Sequence, residues 1–288
     1  MNFDAFVNDI LSNQWNIFGV EVWQDGRLAH TFGDTQTHRH NLYSATKSIT
    51  SIAAGMALDA GRIDLDRCVL DYLPLRAVIA MPPHQRDAWQ PVTLRRLMTM
   101  SVAGFPFRPE GESWLAASLG CPLTDTATPL FSYSNIPTYL VCVALTHALD
   151  EPLGDFLTRR LYQPLCIPRP PMMHCPDGYF YGASGTELTV NELSRIGLLM
   201  QCGGVFDGQR LLSEAYVRQA TSVQQMNREG GYGFFIWKYM DGFSFNGKWK
   251  QKCYILPRRG LVITFLGHIE EDCPGLRASM ERHLLGTE

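Results

Sequence analysis

No run of about 18 apolar residues occurs in the 288-residue chain, so a membrane-spanning helix is not expected. Charge is also sparse. Charged residues are 18% of the chain and hydrophobic residues 45%, a globular balance with enough apolar material for a sizeable core. A clustered basic surface is missing, which argues against a nucleic-acid partner. The nearest approach is Lys248, Lys250 and Lys252, whose alternation fits one solvated face of a strand. None of the eight cysteines sits in a C-x-x-C pair, so a zinc knuckle or a thioredoxin-like motif is not expected. Scattered single cysteines read as reduced, mostly buried thiols. The first residues, MNFDAFVNDILSNQWN, lack a basic leader and carry Asp4 and Asp9. They read as an amphipathic helix with Phe3, Phe6, Val7, Ile10 and Leu11 on one side, and a cytoplasmic protein is expected.

Two common hydrolase signatures are absent as well. There is no G-x-S-x-G nucleophile elbow and no H-E-x-x-H zinc motif. His38 and His40 have no companion carboxylate in sequence, so they read as exposed loop residues. His268 follows the last strand pattern closely. No metal and no cofactor are expected.

Periodicity then organises the chain. Phe18 to Gln24 and Leu28 to Phe32 predict two strands turned at Asp25-Gly26. A helix is expected from about Ser44 to Ala60, stopping at Gly61. Thr93 caps another that runs to about Met100. The stretch from Pro82 to Val92 reads as a loop. Helices are expected over Thr138 to Ala148, Leu153 to Tyr162, Val190 to Cys202, Ser213 to Thr221 and Gly275 to Leu285. Between Pro164 and Gly178, five prolines predict a long irregular connection. Strands return over Tyr232 to Tyr239, Lys248 to Leu256 and Leu261 to Gly267. Strands at both ends and helices between them predict an α+β fold: one antiparallel sheet from both termini with an inserted, mostly helical region. The expected division is 1–43 and 225–288 for the sheet region and 44–224 for the helical region, acting as one catalytic unit.

Three segments carry chemistry. Ser44-Ala45-Thr46-Lys47 is the only S-x-x-K in the chain, although roughly one is expected by chance at this length. Its setting sharpens it. Ser44 stands at a helix start and Lys47 follows at i+3 on the same side, with Ile49, Ile52, Ala53 and Met56 behind them. Burial there favours a neutral amine able to take the serine's proton. The helix N-terminus favours a developing oxyanion. Tyr133-Ser134-Asn135 is the only Y-x-N. Its phenol can act as a general acid, and Asn135 can hold Lys47 and donate to a substrate carbonyl. The third segment runs from Ser244 to Gln251. Gly247, at a strand edge, gives a substrate access to the backbone, and an N–H near Gln251 can complete an oxyanion hole with that of Ser44.

This order of motifs resembles that of the serine β-lactamase and penicillin-binding-protein superfamily, within it the class C-like branch of DD-peptidases, esterases and 6-aminohexanoate-dimer hydrolases. The resemblance spans nearly the whole chain, through SIAAGMALDAGRIDLDRCVLDYLP, TLRRLMTMSVAG, LGDFLTRRLYQPLCIP and GGYGFFIW. It implies a β-lactamase-like fold, a serine hydrolase acylated on Ser44, and Lys47 and Tyr133 sharing the base and acid roles. Asn135, Gly247 and Gln251 are the implied substrate contacts, and the implied partner is a small ester, amide or lactam. Departures narrow this. Phe245-Asn246-Gly247 stands where relatives carry Lys-Thr-Gly or His-x-Gly, and Trp249 and Lys250 replace small residues of a G-x-G-G-Q pattern. Ester or amide hydrolysis is therefore expected ahead of β-lactam or DD-peptide chemistry. An acylated sensor that turns over slowly is the other alternative.

Overall fold

The computed structural model describes residues 1–123, 128 and 130–287. The chain opens with helix α1 (Phe3–Ser12) and the hairpin β1 (Ile17–Gln24) and β2 (Arg27–Gly33). A two-residue strand β3 (His40–Asn41) leads into a 3₁₀ turn, Tyr43–Ala45, and then α2 (Thr46–Asp59). Four short helices follow: α3 (Leu75–Ala80), α4 (Pro83–Trp89), α5 (Leu94–Met98) and α6 (Trp114–Leu119). The long α7 (Ile136–Leu149), α8 (Leu153–Leu157), strand β4 (Glu187–Leu188) and α9 (Val190–Gln201) come next. A small hairpin, β5 (Val205–Phe206) and β6 (Gln209–Arg210), precedes α10 (Glu214–Thr221). The chain then forms β7 (Trp237–Tyr239), β8 (Gly242–Gly247), β9 (Gln251–Leu256), β10 (Leu261–Gly267) and α11 (Pro274–Met280).

The main sheet is antiparallel, in the order β2-β1-β10-β9-β8-β7. β1 pairs with β10, Ile17 opposite Gly267, so the two ends of the chain meet in the middle of the sheet. This is the expected α+β arrangement. β10 is buried on both faces, which explains its unbroken apolar run. Val262 and Leu266 join the core shared with α2, α7 and α9. Leu261, Ile263 and Phe265 alternate to the other face, where Phe3, Phe6 and Ile10 of α1 and Leu276 and Met280 of α11 cover them.

Several expected elements change. The 82–92 stretch contains α4, because its proline occupies the first turn, where no backbone donor is needed. Trp89, fully buried, anchors that helix. The strand expected from Tyr232 begins only at Trp237, because Phe235 turns left-handed at φ 56° and donates its N–H to Met98. The strand expected from Lys248 begins at Gln251. The last turns of the helices expected over 153–162 and 275–285 widen into π-helical turns, Thr158–Tyr162 and Glu281–Leu285. All eight cysteines are free; Cys121, Cys142, Cys175 and Cys253 are buried, whereas Cys166 and Cys202 are exposed.

Helix α2, which carries Lys47, is buried from Thr46 to Ala57. Tyr216 of α10 packs one ring edge against Gly55 and donates its hydroxyl to the Ser51 carbonyl at 2.6 Å. A β-carbon on Gly55 would fall 2.4 Å from the Tyr216 ring. Gly55→Ala gains helix propensity of about 1 kcal/mol but overpacks this contact, and a net loss of roughly 1–2 kcal/mol is expected. Urea unfolding of the variant measures it; a midpoint at or above that of the parent would refute the packing argument.

Candidate active site

Ser44 is presented by a constrained approach. Leu42 is tied to the Thr186 carbonyl by its N–H at 2.9 Å. Tyr43 takes a left-handed backbone, φ 46°, and donates its N–H to Asn41 Oδ1 at 2.8 Å. Such a conformation costs a residue with a β-carbon on the order of 1 kcal/mol and persists only where neighbours enforce it. Ser44 then sits in the 3₁₀ turn that runs into α2, half-buried, at the positive end of the helix.

Lys47, one turn on, is only 1% exposed. Its amine lies 3.1 Å from Ser44 Oγ, 2.6 Å from Asn135 Oδ1 and 2.9 Å from the Ala183 carbonyl oxygen. No carboxylate pairs with it among the described residues. Burial without a countercharge disfavours the ammonium and brings its pKa down to about 7. The geometry gives this a direction. Two of the three neighbours, the Asn135 and Ala183 oxygens, can only accept. In the neutral amine they bind both N–H groups, and the lone pair is left for the Ser44 hydroxyl.

The loop that supplies the Ala183 carbonyl depends on one glycine. Gly182 is left-handed, φ 65°, and a β-carbon there would fall 2.1 Å from Cys142 Sγ. Thr50 of α2 donates its hydroxyl to the Gly182 carbonyl at 3.1 Å and fastens the loop beneath Lys47.

The Tyr133-Ser134-Asn135 turn faces Lys47 from the other side. Ser134 donates its hydroxyl to the Pro106 carbonyl at 2.7 Å and accepts from the Ile136 N–H at 3.1 Å, so this serine caps α7. Asn135 donates its N–H to the Phe107 carbonyl at 2.8 Å, and its side chain takes no part in capping. Instead, Asn135 joins Lys47 to the hydroxyl of buried Tyr181. Tyr133 is half-buried among Phe131, Tyr232 and Trp237. The Lys47 amine lies 5.0 Å from the centre of its ring. Burial pushes the phenol up to about 12, and a hydrogen bond with Ser44 offsets only part of that rise. The two groups flanking Ser44 are thus driven apart: the amine toward its free base, the phenol toward its protonated form.

The third segment differs from expectation. Residues Lys248–Lys250 form a 3₁₀ turn in which Trp249 and Lys250 are left-handed, φ 58° and 74°. This breaks the expected alternation of the three lysines. Trp249 stacks on His268 at 4.1 Å and meets the edge of Tyr43 at 4.9 Å, which makes an aromatic rim beside Ser44. Exposed Lys248 lies over the Trp249 ring. The room left by Gly247 is filled by the chain itself: a β-carbon there would fall 2.1 Å from the Leu42 carbonyl oxygen. Gln251 is buried, and its amide donates to the Gly267 carbonyl at 2.6 Å, so the side chain bolts β9 to β10. Phe245 is wholly buried with Phe243 on the face of β8 toward the helices. Of the histidines, His38 is exposed, whereas His40 is half-buried and stacked on Phe18.

The structure therefore brings Ser44, Lys47, Tyr133 and Asn135 together and sets Gly247 against the approach to the serine. It commits the Gln251 side chain elsewhere. Sequence reasoning missed the Ala183 carbonyl, Tyr181 and Asn41. A backbone acceptor leaves no mark in sequence, but the Y-G-A-S-G string at 181–185 signals an unusual loop.

A sheet made from both chain ends thus carries a buried lysine beside a serine at the head of an inserted helix. The chain belongs to the Beta-lactamase family, whose model matches residues 13–278. It is 25% identical over 215 residues to a 6-aminohexanoate-dimer hydrolase of Paenarthrobacter ureafaciens, which covers 67% of this chain and 54% of the relative. The chain thus spans about half the length of that curated relative. The same fold occurs in a D-stereospecific amidohydrolase from Streptomyces sp. (TM-score 0.73, 15% identity, all of both chains covered). It also occurs in a penicillin-binding-protein homologue from Caulobacter crescentus (TM-score 0.72, 15% identity, 92% of this chain and 90% of that one). No helix among the described residues is long and apolar enough to cross a membrane.

The buried amine has a measurable signature. Between about 7 and the ordinary lysine value of 10.5, the unfolded chain holds a proton that folded Lys47 has lost. The parent's unfolding free energy must therefore rise with pH across that window relative to Lys47→Met. Urea unfolding of both proteins from pH 6 to about pH 10 tests this; a constant difference would show that Lys47 is not desolvated.

Proposed function

We propose that the protein is a serine hydrolase that cleaves small esters or amides through an acyl-enzyme on Ser44. The observation that carries this reading is the Lys47 amine, buried to 1% exposure with its two carbonyl acceptors, 3.1 Å from Ser44 Oγ. Ser44 gives its proton to Lys47 as Oγ attacks the substrate carbonyl. Tyr133, held protonated by burial, gives its phenolic proton to the departing oxygen or nitrogen and is restored from the Lys47 ammonium. The net result is one proton moved from Ser44 to the leaving group, with Lys47 and Tyr133 returned to their starting states. Water then attacks the ester of Ser44 by the same path in reverse. The Ser44 N–H and an N–H near Gln251 bind the oxyanion, with Gly247 and Gln251 contributing backbone only. Asn135 aims Lys47 and meets the substrate carbonyl. In this reading, region 44–224 supplies the nucleophile, regions 1–43 and 225–288 supply the oxyanion strand, and they form one catalytic unit.

Phe245 supports esters and neutral amides over penicillins. Its position holds a buried ring in the core, so no cation stands there to meet a carboxylate. The name of the D-stereospecific amidohydrolase with the same fold supports amides among the candidates. Free, scattered cysteines support a reducing compartment, and we place the protein in the cytoplasm without a nucleic-acid or membrane partner.

A nitrophenyl ester panel, a chromogenic cephalosporin and short D-amino-acid amides, assayed side by side, test the assignment. Ser44→Ala should lose turnover and the acyl mass increment; near-parental activity in that variant would remove Ser44 from the mechanism. Tyr133→Phe should cost on the order of 10²–10⁴-fold. Acylation of the best ester should rise about tenfold per pH unit below the Lys47 pKa of about 7 and level off above it. A profile flat from pH 5 to about pH 8 would exclude Lys47 as the base.

A further inference from the structure

Strand β8 has a second face. Phe243 and Phe245 point into the helical core, so Ser244 and Asn246 point the other way, where their cross-strand partners on β9 are Tyr254 and Lys252. These four side chains border a cavity of about 750 Å³ on the side of the sheet that α11 covers.

The cavity is unusually basic for this chain, whose formal charge is −3. Arg228, Lys238, Lys250, Lys252 and Arg277 line it. Only two carboxylates, Glu229 and Asp272, share the wall. Both are exposed, and neither makes a close ion pair with Lys252 or Lys238 among the described residues, although Glu229 attracts Lys252 from a distance. Asp272 is 97% exposed and lies 4.0 Å from Lys250, at the limit of an ion pair. Arg277 is bound to Glu281, outside the wall, at 2.7 Å. Lys252 and Lys238 make no ion pair or hydrogen bond with another side chain among the described residues. Burial lowers the Lys252 ammonium to about 8, which still leaves it charged at neutral pH. The Asn246 Oδ1 is buried without a partner. The rest of the wall is apolar or aromatic: Tyr239, Tyr254, Phe265 and Leu276.

Half-buried cations such as Lys252 and Lys238, with no close countercharge, are costly unless something anionic completes them. The volume is far larger than an inorganic ion requires, and the aromatic wall offers area for an apolar body. We propose that this cavity binds a small organic anion, an oxyanion head joined to an apolar body, at a site separated from Ser44 by strand β8. The head meets Lys252, Lys238 and the Asn246 amide. The body lies on Tyr254, Phe265 and Leu276.

Titration calorimetry on the full chain tests this with 4-phenylbutyrate, phenyl phosphate, inorganic phosphate and 4-phenylbutanol. One or both organic anions should bind saturably below millimolar Kd, at least tenfold tighter than the alcohol; the tighter of the two identifies the head as carboxylate or phosphate. Inorganic phosphate should bind more weakly than phenyl phosphate. Lys252→Met keeps the buried stem and should weaken binding by about tenfold or more. Lys238→Met, at the strand edge, should do the same and serves if the first variant does not fold. Ser44→Ala should bind as the parent does, so loss of the hydrolytic reading leaves this one standing. The proposal is overturned if neither anion saturates by about 10 mM, if the alcohol binds equally well, if both lysine variants bind as the parent, or if Ser44→Ala abolishes binding.

Discussion

A single amine organises the site. Lys47 is shut away from water without a carboxylate to balance it, and it is held by oxygens from three separate parts of the chain: Ser44, Asn135 and Ala183. Each holder is fixed in turn. Ser44 hangs on the left-handed Tyr43, Asn135 on the Phe107 carbonyl, and Ala183 on a loop that only glycine at 182 allows. The burial of α2 along its length is therefore what sets the state of this amine. A more exposed helix would solvate the ammonium, and a charged lysine has no lone pair to offer.

Tyr133 completes this division of labour by the opposite route. The same loss of water that depresses a lysine elevates a phenol, so one environment produces an unprotonated amine and a protonated hydroxyl on either side of one serine. No charged residue has to be imported to separate them. One desolvated environment thus lowers the pKa of the amine and raises that of the phenol without a carboxylate paired to the lysine.

Much of this was legible in the sequence, and the reason is periodicity. The alternating or continuous apolar runs of β1 and β10 and the capped helices announced themselves, because burial on a sheet or helix face imposes spacing on residue type. Ser44, Lys47, Tyr133 and Asn135 were legible from the order of two motifs that are each ordinary alone. What escaped was set by backbone geometry. Trp249 has the propensity of a strand residue and Lys250 fits the alternation of the lysines, yet both turn left-handed where Trp249 packs on Tyr43 and His268. Prolines at 82 and 83 looked like loop and proved to be a helix start. The Gln251 side-chain amide is bound to the Gly267 carbonyl within the sheet, a contact its position in the chain did not announce. The Ala183 oxygen could not be foreseen, since every residue owns a carbonyl.

The pairing of Ile17 with Gly267 also orders events in time. A nascent chain synthesised only as far as α10 already contains the serine, lysine, tyrosine and asparagine. It lacks β8, the strand whose Gly247 presses on the Leu42 carbonyl just ahead of the serine, and β10, the partner that covers β1. Until the last strands emerge from the ribosome, the hairpin of β1 and β2 has an open edge and the nucleophile has no wall beside it. Folding dominated by such distant contacts is slow. The surroundings of Ser44 are accordingly completed last, by strands that only the end of the chain supplies.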